Sequence, residues 1–346
     1  MAVSVNINTL NATTDKFYME EIHDQFFLSR AFLVKLRSRE KPIDGGTSIQ
    51  VPIKYQQNTN TGRWNGGDDT LDTIGQEFVT QATFNWKFLK TSIQLPETKI
   101  LQNAGKSKIV DLLEAESENA VESLSDQFDI DLYLDGSADS NGRLGIDGLA
   151  AVCTLGSNPT PGAYGGIDRA SPSSAGGTKA SPLGNSFWNA NVVAANGNQT
   201  YNLWKNPVVM DNSTVLTLAK LQAIYGACGG ADVCLTSQTL YDKYWSLLTV
   251  IQRQMTDDEL GKAGFTALKF NDAAVIVGDN IDNTGKWYNL NMKFFELKPH
   301  REMNFNPTEF RKPPNQRVLV KHINWMGNLV CKRPNRQGLI TGMTAS

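Results

Sequence analysis

The run from Lys106 to Leu134 constrains this chain more than any other stretch. Val110, Leu113, Val121, Leu124, Phe128 and Leu132 come in three- and four-residue steps, and Ser117 fills the gap. Asp111, Glu114, Glu116, Glu118 and Glu122 decorate the remaining faces. That spacing is the signature of one amphipathic helix over 106–134, stopping near Gly136. At 1.5 Å per residue it is roughly 40 Å long. A helix of that length is a strut along which other elements pack.

Ahead of the strut the chain is extended. Residues 1–12 are polar, β-branched and Asn-rich, and read as an arm. Phe17, Ile22, Phe26, Phe27, Phe32, Leu33 and Leu36 then recur at helical spacing, predicting one helix or two short ones that end before Pro42. In TSIQVPIKY, Ile49, Val51 and Ile53 alternate with Ser48, Gln50 and Pro52; the proline points to an edge strand. Phe78, Thr80, Ala82, Phe84 and Trp86 share one parity and form the second strand. The polar, turn-rich stretch between them makes the whole an extended β-hairpin. Isolated two-stranded hairpins are marginal in water, so this one is expected to lie on a partner.

Beyond the strut the chain changes character twice. Residues 136–200 are rich in Gly, Ser, Asn and Pro, with only GLAAVC resembling a buried segment, although Tyr164, Phe187 and Trp188 argue against a solvated linker. From Thr214 an α/β unit is expected. It has a helix through TVLTLAKLQAIYGACGG stopping at Gly229-Gly230, a buried strand in ADVCLTS and a second helix capped by Ser237. Strands are expected at Thr266–Phe270, Ala273–Val277, Trp287–Leu290 and Lys293–Leu297, then from Arg317 to Lys332 with a turn at Gly327-Asn328. The fold class is α+β.

Composition bears mainly on what the chain does not do. Lys+Arg 33 against Asp+Glu 35 gives a formal net charge of -2, unlike that of a basic nucleic-acid binder. No stretch approaches the ~20 apolar residues that cross a bilayer, and MAVSVNINTL lacks the parts of a signal peptide. Cys153, Cys228, Cys234 and Cys331 are expected as reduced, buried thiols, since the Cys228/Cys234 spacing is not that of a zinc ribbon. No Walker A loop, GxGxxG, HExxH or GxSxG is present. His23, His300 and His322 are scattered and read as structural. Asp68, Asp69 and Asp72 do not match an EF-hand loop, and Asp257-Asp258-Glu259 reads as a solvated turn. No catalytic, cofactor or metal site is expected. Charge is uneven, however. Arg301, Arg311, Lys312, Arg317, Lys321, Lys332, Arg333 and Arg336 face only Glu302 and Glu309 within 300–346, whereas the strut is acidic. That asymmetry suits contact between copies or a phosphate-rich neighbour.

The order of these pieces resembles the major capsid proteins of tailed double-stranded DNA phages, with their HK-like fold. The resemblance is carried by arm, hairpin and strut in sequence and by several phrases: GIDGLAAV (Gly145–Val152), YGGIDRAS (Tyr164–Ser171) with Phe187-Trp188, and GNLVCKRPNRQG (Gly327–Gly338). It implies an N-terminal arm (1–44), an E-loop hairpin (45–91) and a peripheral domain (92–205) containing the spine helix 106–134. An axial domain (206–290) comes next, then C-terminal strands (291–346) that return to the peripheral domain. It implies a head protein that self-assembles into hexamers and pentamers enclosing double-stranded DNA. The expected partners are further copies, a portal protein, a cement or decoration protein and, if the chain is the full gene product, a separate scaffolding protein, since a fused one is not expected before residue 45. No membrane is involved. The expected location is the virion, after assembly in the host cytoplasm. Lys54, Arg63, Trp64, Asp68 and Asp69 are candidates for inter-subunit contact, Trp and Arg being enriched at interface hot spots. Lys332, Arg333 and Arg336 are candidates for DNA-facing or interface cations. Some relatives cross-link an E-loop lysine to a peripheral-domain asparagine. Here Lys54 and Asn324, Asn328 or Asn335 would be the pair, but the sequence brings no carboxylate base to them. An encapsulin-type compartment shell is the alternative with the same fold, and a monomeric α/β enzyme the alternative from another class.

Overall fold

The computed structural model describes residues 30–55, 58, 60–63, 75–102, 106–153, 164–167, 188, 190–194, 201–202, 207–208, 213–248, 268–278, 280–281 and 285–345. Its elements in order are α1 (Ala31–Arg37), β1 (Ile49–Lys54), β2 (Val79–Phe84), β3 (Lys87–Pro96), α2 (Glu97–Gln102), α3 (Lys106–Tyr133) and α4 (Leu149–Val152). Next come β4 (Asn191–Ala194), β5 (Tyr201–Asn202), β6 (Pro207–Val208), α5 (Leu218–Cys228), β7 (Val233–Thr236), α6 (Gln238–Leu247), β8 (Leu268–Phe270), β9 (Ala273–Val277) and β10 (Trp287–Leu290). The chain closes with β11 (Phe295–Pro299), β12 (Asn306–Pro307), β13 (Val318–Cys331) and β14 (Gly338–Thr341).

The strut is present as the 28-residue helix α3. Ser117, Ala120, Val121, Leu124, Ser125, Phe128 and Leu132 form its buried stripe, as their spacing requires. It lies against an antiparallel sheet built on β13. β3 pairs along Val318–Gly327 on one side of β13, and β11 and β12 pair on the other. Alternation along β13 buries Leu319, Lys321, Ile323 and Trp325. Phe128 of α3 meets Trp325 edge-on at 5.0 Å between ring centroids, with Phe305 at 6.2 Å from both. Such aromatic pairs add about 0.5–1.5 kcal/mol beyond area burial.

The turn expected at Gly327-Asn328 does not form, and β13 runs unbroken through 14 residues. Gly327 serves a close approach instead. A Cβ there would stand 2.6 Å from Cζ2 of Trp325 and 2.9 Å from the carbonyl oxygen of Lys298 across the ladder. Asn328 is equally committed to its surroundings. Its Nδ2 donates to Asp147 Oδ2 (2.7 Å) and to the carbonyl of Asn85 (3.0 Å), and its Oδ1 accepts from the Asp147 and Leu329 N–H groups. Lys87 closes this buried knot on Asp147 at 3.1 Å.

The hairpin forms as β1 paired with β2, Ile49 opposite Phe84 through Lys54 opposite Val79. Its root is not waiting for a partner. Ile49, Val51, Ile53, Tyr55, Ala82 and Phe84 are buried in the same core as the spine. Tyr164 supports it, with its ring 5.0 Å from Phe84 and its hydroxyl accepting from the Cys331 N–H at 2.7 Å. Trp188 donates from Nε1 to the Tyr164 carbonyl at 3.0 Å and is fully buried. These two residues of the polar stretch are thus core, as is the short α4 within GLAAVC. The arm 1–12 and Phe187 lie outside the described residues.

A second, six-stranded mixed sheet has the order β4-β14-β10-β7-β9-β8. It is buried on both faces. Val233, Leu235, Ile276 and Leu290 face the core shared with the spine, while Cys234, Val275, Trp287 and Ile340 face a second core under α5 and α6. This double burial explains the continuous apolar runs VCLT and AAVIV. Thr217 caps α5 by accepting from the Lys220 N–H, and Gly229 ends it in the left-handed conformation at φ 67°. Ser237 occupies the cap position of α6 without a capping side-chain bond. The unit expected within 206–290 is larger than that interval. β14 and the parallel β4 cover the edge that β10 would otherwise expose. The C-terminal strands accordingly divide, β11–β13 to one sheet and β14 to the other. The strand expected at Lys293–Leu297 begins only at Phe295, because Met292–Phe294 form a 3-10 turn capped by Asn291.

Truncation at the spine–sheet junction tests this architecture. Phe128→Ala is expected to cost about 3–5 kcal/mol, the usual range for a buried Phe. A urea melt of the purified chain followed by Trp fluorescence should show the midpoint fall accordingly; an unchanged midpoint would mean that the helix is not fastened there.

Candidate inter-subunit surface

As the hairpin leaves the core, its apolar side chains come into the open. Phe78 is 52% exposed and Val79 45%. Lys54, opposite Val79, stands 6.0 Å from the centroid of the Phe78 ring. Tyr55 donates its hydroxyl to the Glu77 carbonyl at 3.0 Å, fixing this end of the ladder. Arg63, further out, is exposed. Trp64, Asp68 and Asp69 lie outside the described residues. This end of the hairpin therefore exposes Lys54, Phe78 and Val79, with Lys54 over the Phe78 ring; residue type alone did not single out Phe78 and Val79. The signal for Phe78 was in the sequence: the apolar alternation of Phe84 and Ala82 continues to Phe78, where burial has ended.

The second concentration of charge centres on Glu296 of β11, 6% exposed. Lys41 bonds its Oε1 at 2.5 Å and Lys332 bonds the same oxygen at 2.7 Å, while Lys298 reaches Oε2 at 3.5 Å. Three elements supply the ring: Lys41 from the segment after α1, which bridges to β11 at Glu40–Leu297, Lys298 from β11 itself, and Lys332 from the end of β13. Burial disfavours the charged form of Glu296. The hydrogen bonds from Lys332 and Lys41 and the surrounding positive charge outweigh it and hold the carboxyl below the ordinary glutamate range. Burial, with the neighbouring ammonium groups, lowers Lys298.

The three C-terminal cations differ in role. Lys332 belongs to this ring. Arg333 is exposed, its guanidinium 5.3 Å from the centroid of the Phe294 ring. Arg336 is half-buried and donates to the carbonyl of Cys228 at 3.3 Å, where a cation also complements the C-terminal end of α5. Lys41, Glu296 and Lys298 escape sequence reasoning because no local pattern joins residues 41, 296 and 332; only the β11–β13 ladder does. Of the asparagines, Asn328 and Asn335 are buried and Asn324 is half-buried on β13. His300 accepts from the Glu302 N–H and packs edge-on against Trp86, and His322 lies exposed on β13; His23 lies outside the described residues. All four cysteines are buried as thiols, with Cys234 pushed up by burial and donating to Asn289. Among the described residues no group of three His, Cys, Asp or Glu could hold a metal ion, and no helix is long and apolar enough to cross a membrane.

No protein-family model matches the chain, and no curated protein does. Solved structures match over nearly its whole length. A chain of the cyanophage A-1(L) capsid asymmetric unit superposes with a TM-score of 0.64 at 17% identity, over 93% of this chain and 94% of that one. The chain has the HK-like capsid fold. Gordonia phage Cozz (TM-score 0.51, 12% identity, 89% of this chain and 85% of that one) and the holo-SrpI encapsulin complex from Synechococcus elongatus (0.51, 9% identity, 91% and 88%) are similar in the same way. In the terms of the HK-like fold, β1–β2 is the E-loop and α3 the spine.

The lysine ring has a definite pH signature. A carboxyl held below its unfolded value contributes stability that is present above about 4.5 and is lost as pH falls through the folded-state value. Glu296→Gln is therefore expected to destabilise the chain at pH 7 and to flatten the acid limb of its stability profile. Parallel melts from pH 7 down to pH 3 check this; an acid limb identical in both proteins would remove Glu296 as a determinant.

Proposed function

We propose that this chain is the major capsid protein of a tailed double-stranded DNA phage, assembling through hexamers and pentamers into an icosahedral shell. The carrying observation is the HK-like fold over nearly the whole chain, with the higher TM-score to the cyanophage capsid chain than to the encapsulin. The physical features agree. The E-loop is rooted in its own core but carries Phe78, Val79 and Lys54 outward. A patch on a long lever is suited to heterologous contact, which closes into rings when copies repeat around an axis. Lys54, Arg63, Trp64, Asp68 and Asp69 are assigned to that contact, and Lys332 and Arg333 to an interface or to packaged DNA. Arg336, holding α5, is assigned to it only through its remaining exposure.

In this reading β3, β11–β13 and the spine form the peripheral domain, and the six-stranded sheet with α5 and α6 forms the axial domain. The role is structural rather than catalytic, and the location is the virion. Portal, scaffolding and cement proteins are its further partners. Non-specific contact with DNA phosphates is expected, without base reading.

Sedimentation of the purified chain, followed by analysis of particle contents from infected cells, tests this. Rings or shells enclosing long double-stranded DNA are expected. Particles enclosing protein cargo would favour the encapsulin reading, and a chain that stays monomeric at all concentrations would overturn both. Phe78→Asp is expected to lower shell yield while leaving the stability of the free subunit within about 0.5 kcal/mol, as for other exposed positions; undiminished assembly would remove the E-loop patch from the interface.

A further inference from the structure

The spine and the lysine ring each carry like charges that no ion pair among the described residues balances. On α3, Glu118 and Glu122 are exposed one turn apart, and neither has an ion-pair partner among the described residues. Their neighbours are engaged, Glu116 with Lys99 at 3.7 Å and Asp126 with Arg30. Like charges at this spacing destabilise a helix. At the ring the imbalance has the opposite sign: one carboxylate, Glu296, serves three ammonium groups. Lys41 is 63% exposed, Lys332 39%, and the exposed Lys293 and Arg333 flank them. Among the described residues, Glu296 is the one acid bonded to this ring; the nearby Asp44 is held by Arg301 at 2.7 Å, and Glu40 accepts from Asn304.

The spacing of the two sets corresponds. Lys41 and Lys332 bond the same oxygen, so their nitrogens stand within about 5 Å of each other. Side chains one helical turn apart have Cβ atoms about 5–6 Å apart. We infer that the Lys41–Lys298–Lys332 ring of one copy seats the Glu118/Glu122 pair of a second copy. The inference rests on the assembly reading above and names one of its contacts. Docking removes both repulsions at once, and it joins different surfaces of identical chains, the head-to-tail relation that closes rings. A phosphate polymer could relieve the lysines but would leave the spine glutamates uncompensated. A second copy relieves both.

Charge exchange tests the contact. The double variant Glu118→Lys with Glu122→Lys is expected to lower the yield of rings and shells roughly tenfold or more at 0.15 M salt, because it sets like charges against each other across the interface. Adding Lys41→Glu and Lys332→Glu in the same chain should restore it. Assembly unaffected by the first pair overturns the contact, as does a folded quadruple variant without recovery. So does a lysine variant that forms normal shells and loses only nucleic acid. Where reversal beside Glu296 unfolds the chain, alanine at the same four positions forms a double-mutant cycle, and strictly additive losses overturn the contact. A wild-type chain that remains monomeric overturns the assembly reading and this contact with it.

Discussion

The junction between the spine and β13 is what the rest of the structure depends on. Phe128 enters against Trp325 and Phe305, and from there the helix extends along β3 while β13 carries its ladder to β11 and β12. Because β13 is unbroken, elements from residues 87–96, 295–299 and 306–307 share one platform. The requirement is strict at Gly327, where any side chain would strike the tryptophan or the neighbouring strand. The spine's far contacts depend on this placement. Asp129 accepts from Asn280 at 2.8 Å, linking the helix to the chain just after β9.

From that platform the two charged or amphipathic surfaces take their positions. The E-loop starts where its apolar alternation can still be buried, at Ile49, Val51 and Phe84, and becomes exposed where the same alternation runs past the core. The lysine ring exists because β11 brings Glu296 and Lys298 beside the end of β13 and the segment after α1. Both surfaces are thus by-products of sheet register. Burying Glu296 alone would be costly; burying it under three lysines leaves positive charge at the rim.

Much of this was legible in the sequence, because the decisive signals are periodic. The spine, both E-loop strands and the runs VCLT and AAVIV can be read from spacing and apolar content. The order of those pieces was enough to suggest the fold. The illegible part is long-range. Gly327-Asn328 has the composition of a turn, and only the crossing of Trp325 and Lys298 over the glycine makes it mid-strand. β4 and β14 pair in parallel across more than a hundred intervening residues, so no local pattern announces them. Tyr164 and Trp188 sit in a stretch of Gly, Ser and Pro, and their core role comes from neighbours distant in sequence. The site residues divide in the same way. Lys54, Arg63, Lys332 and Arg333 could be proposed from residue type. Arg336 could be proposed in the same way, but its bond to the end of α5 could not, and Lys41, Glu296 and Lys298 needed the ladder.

In the proposed assembly the E-loop is rooted in its own core and its outer patch lies against a neighbour. An electron cryo-microscopy reconstruction of the assembled chain tests this most directly. Five- and six-membered rings are expected, with Phe78, Val79 and Lys54 lying against another copy. Single subunits at every concentration, or rings in which those three side chains face solvent, would contradict it.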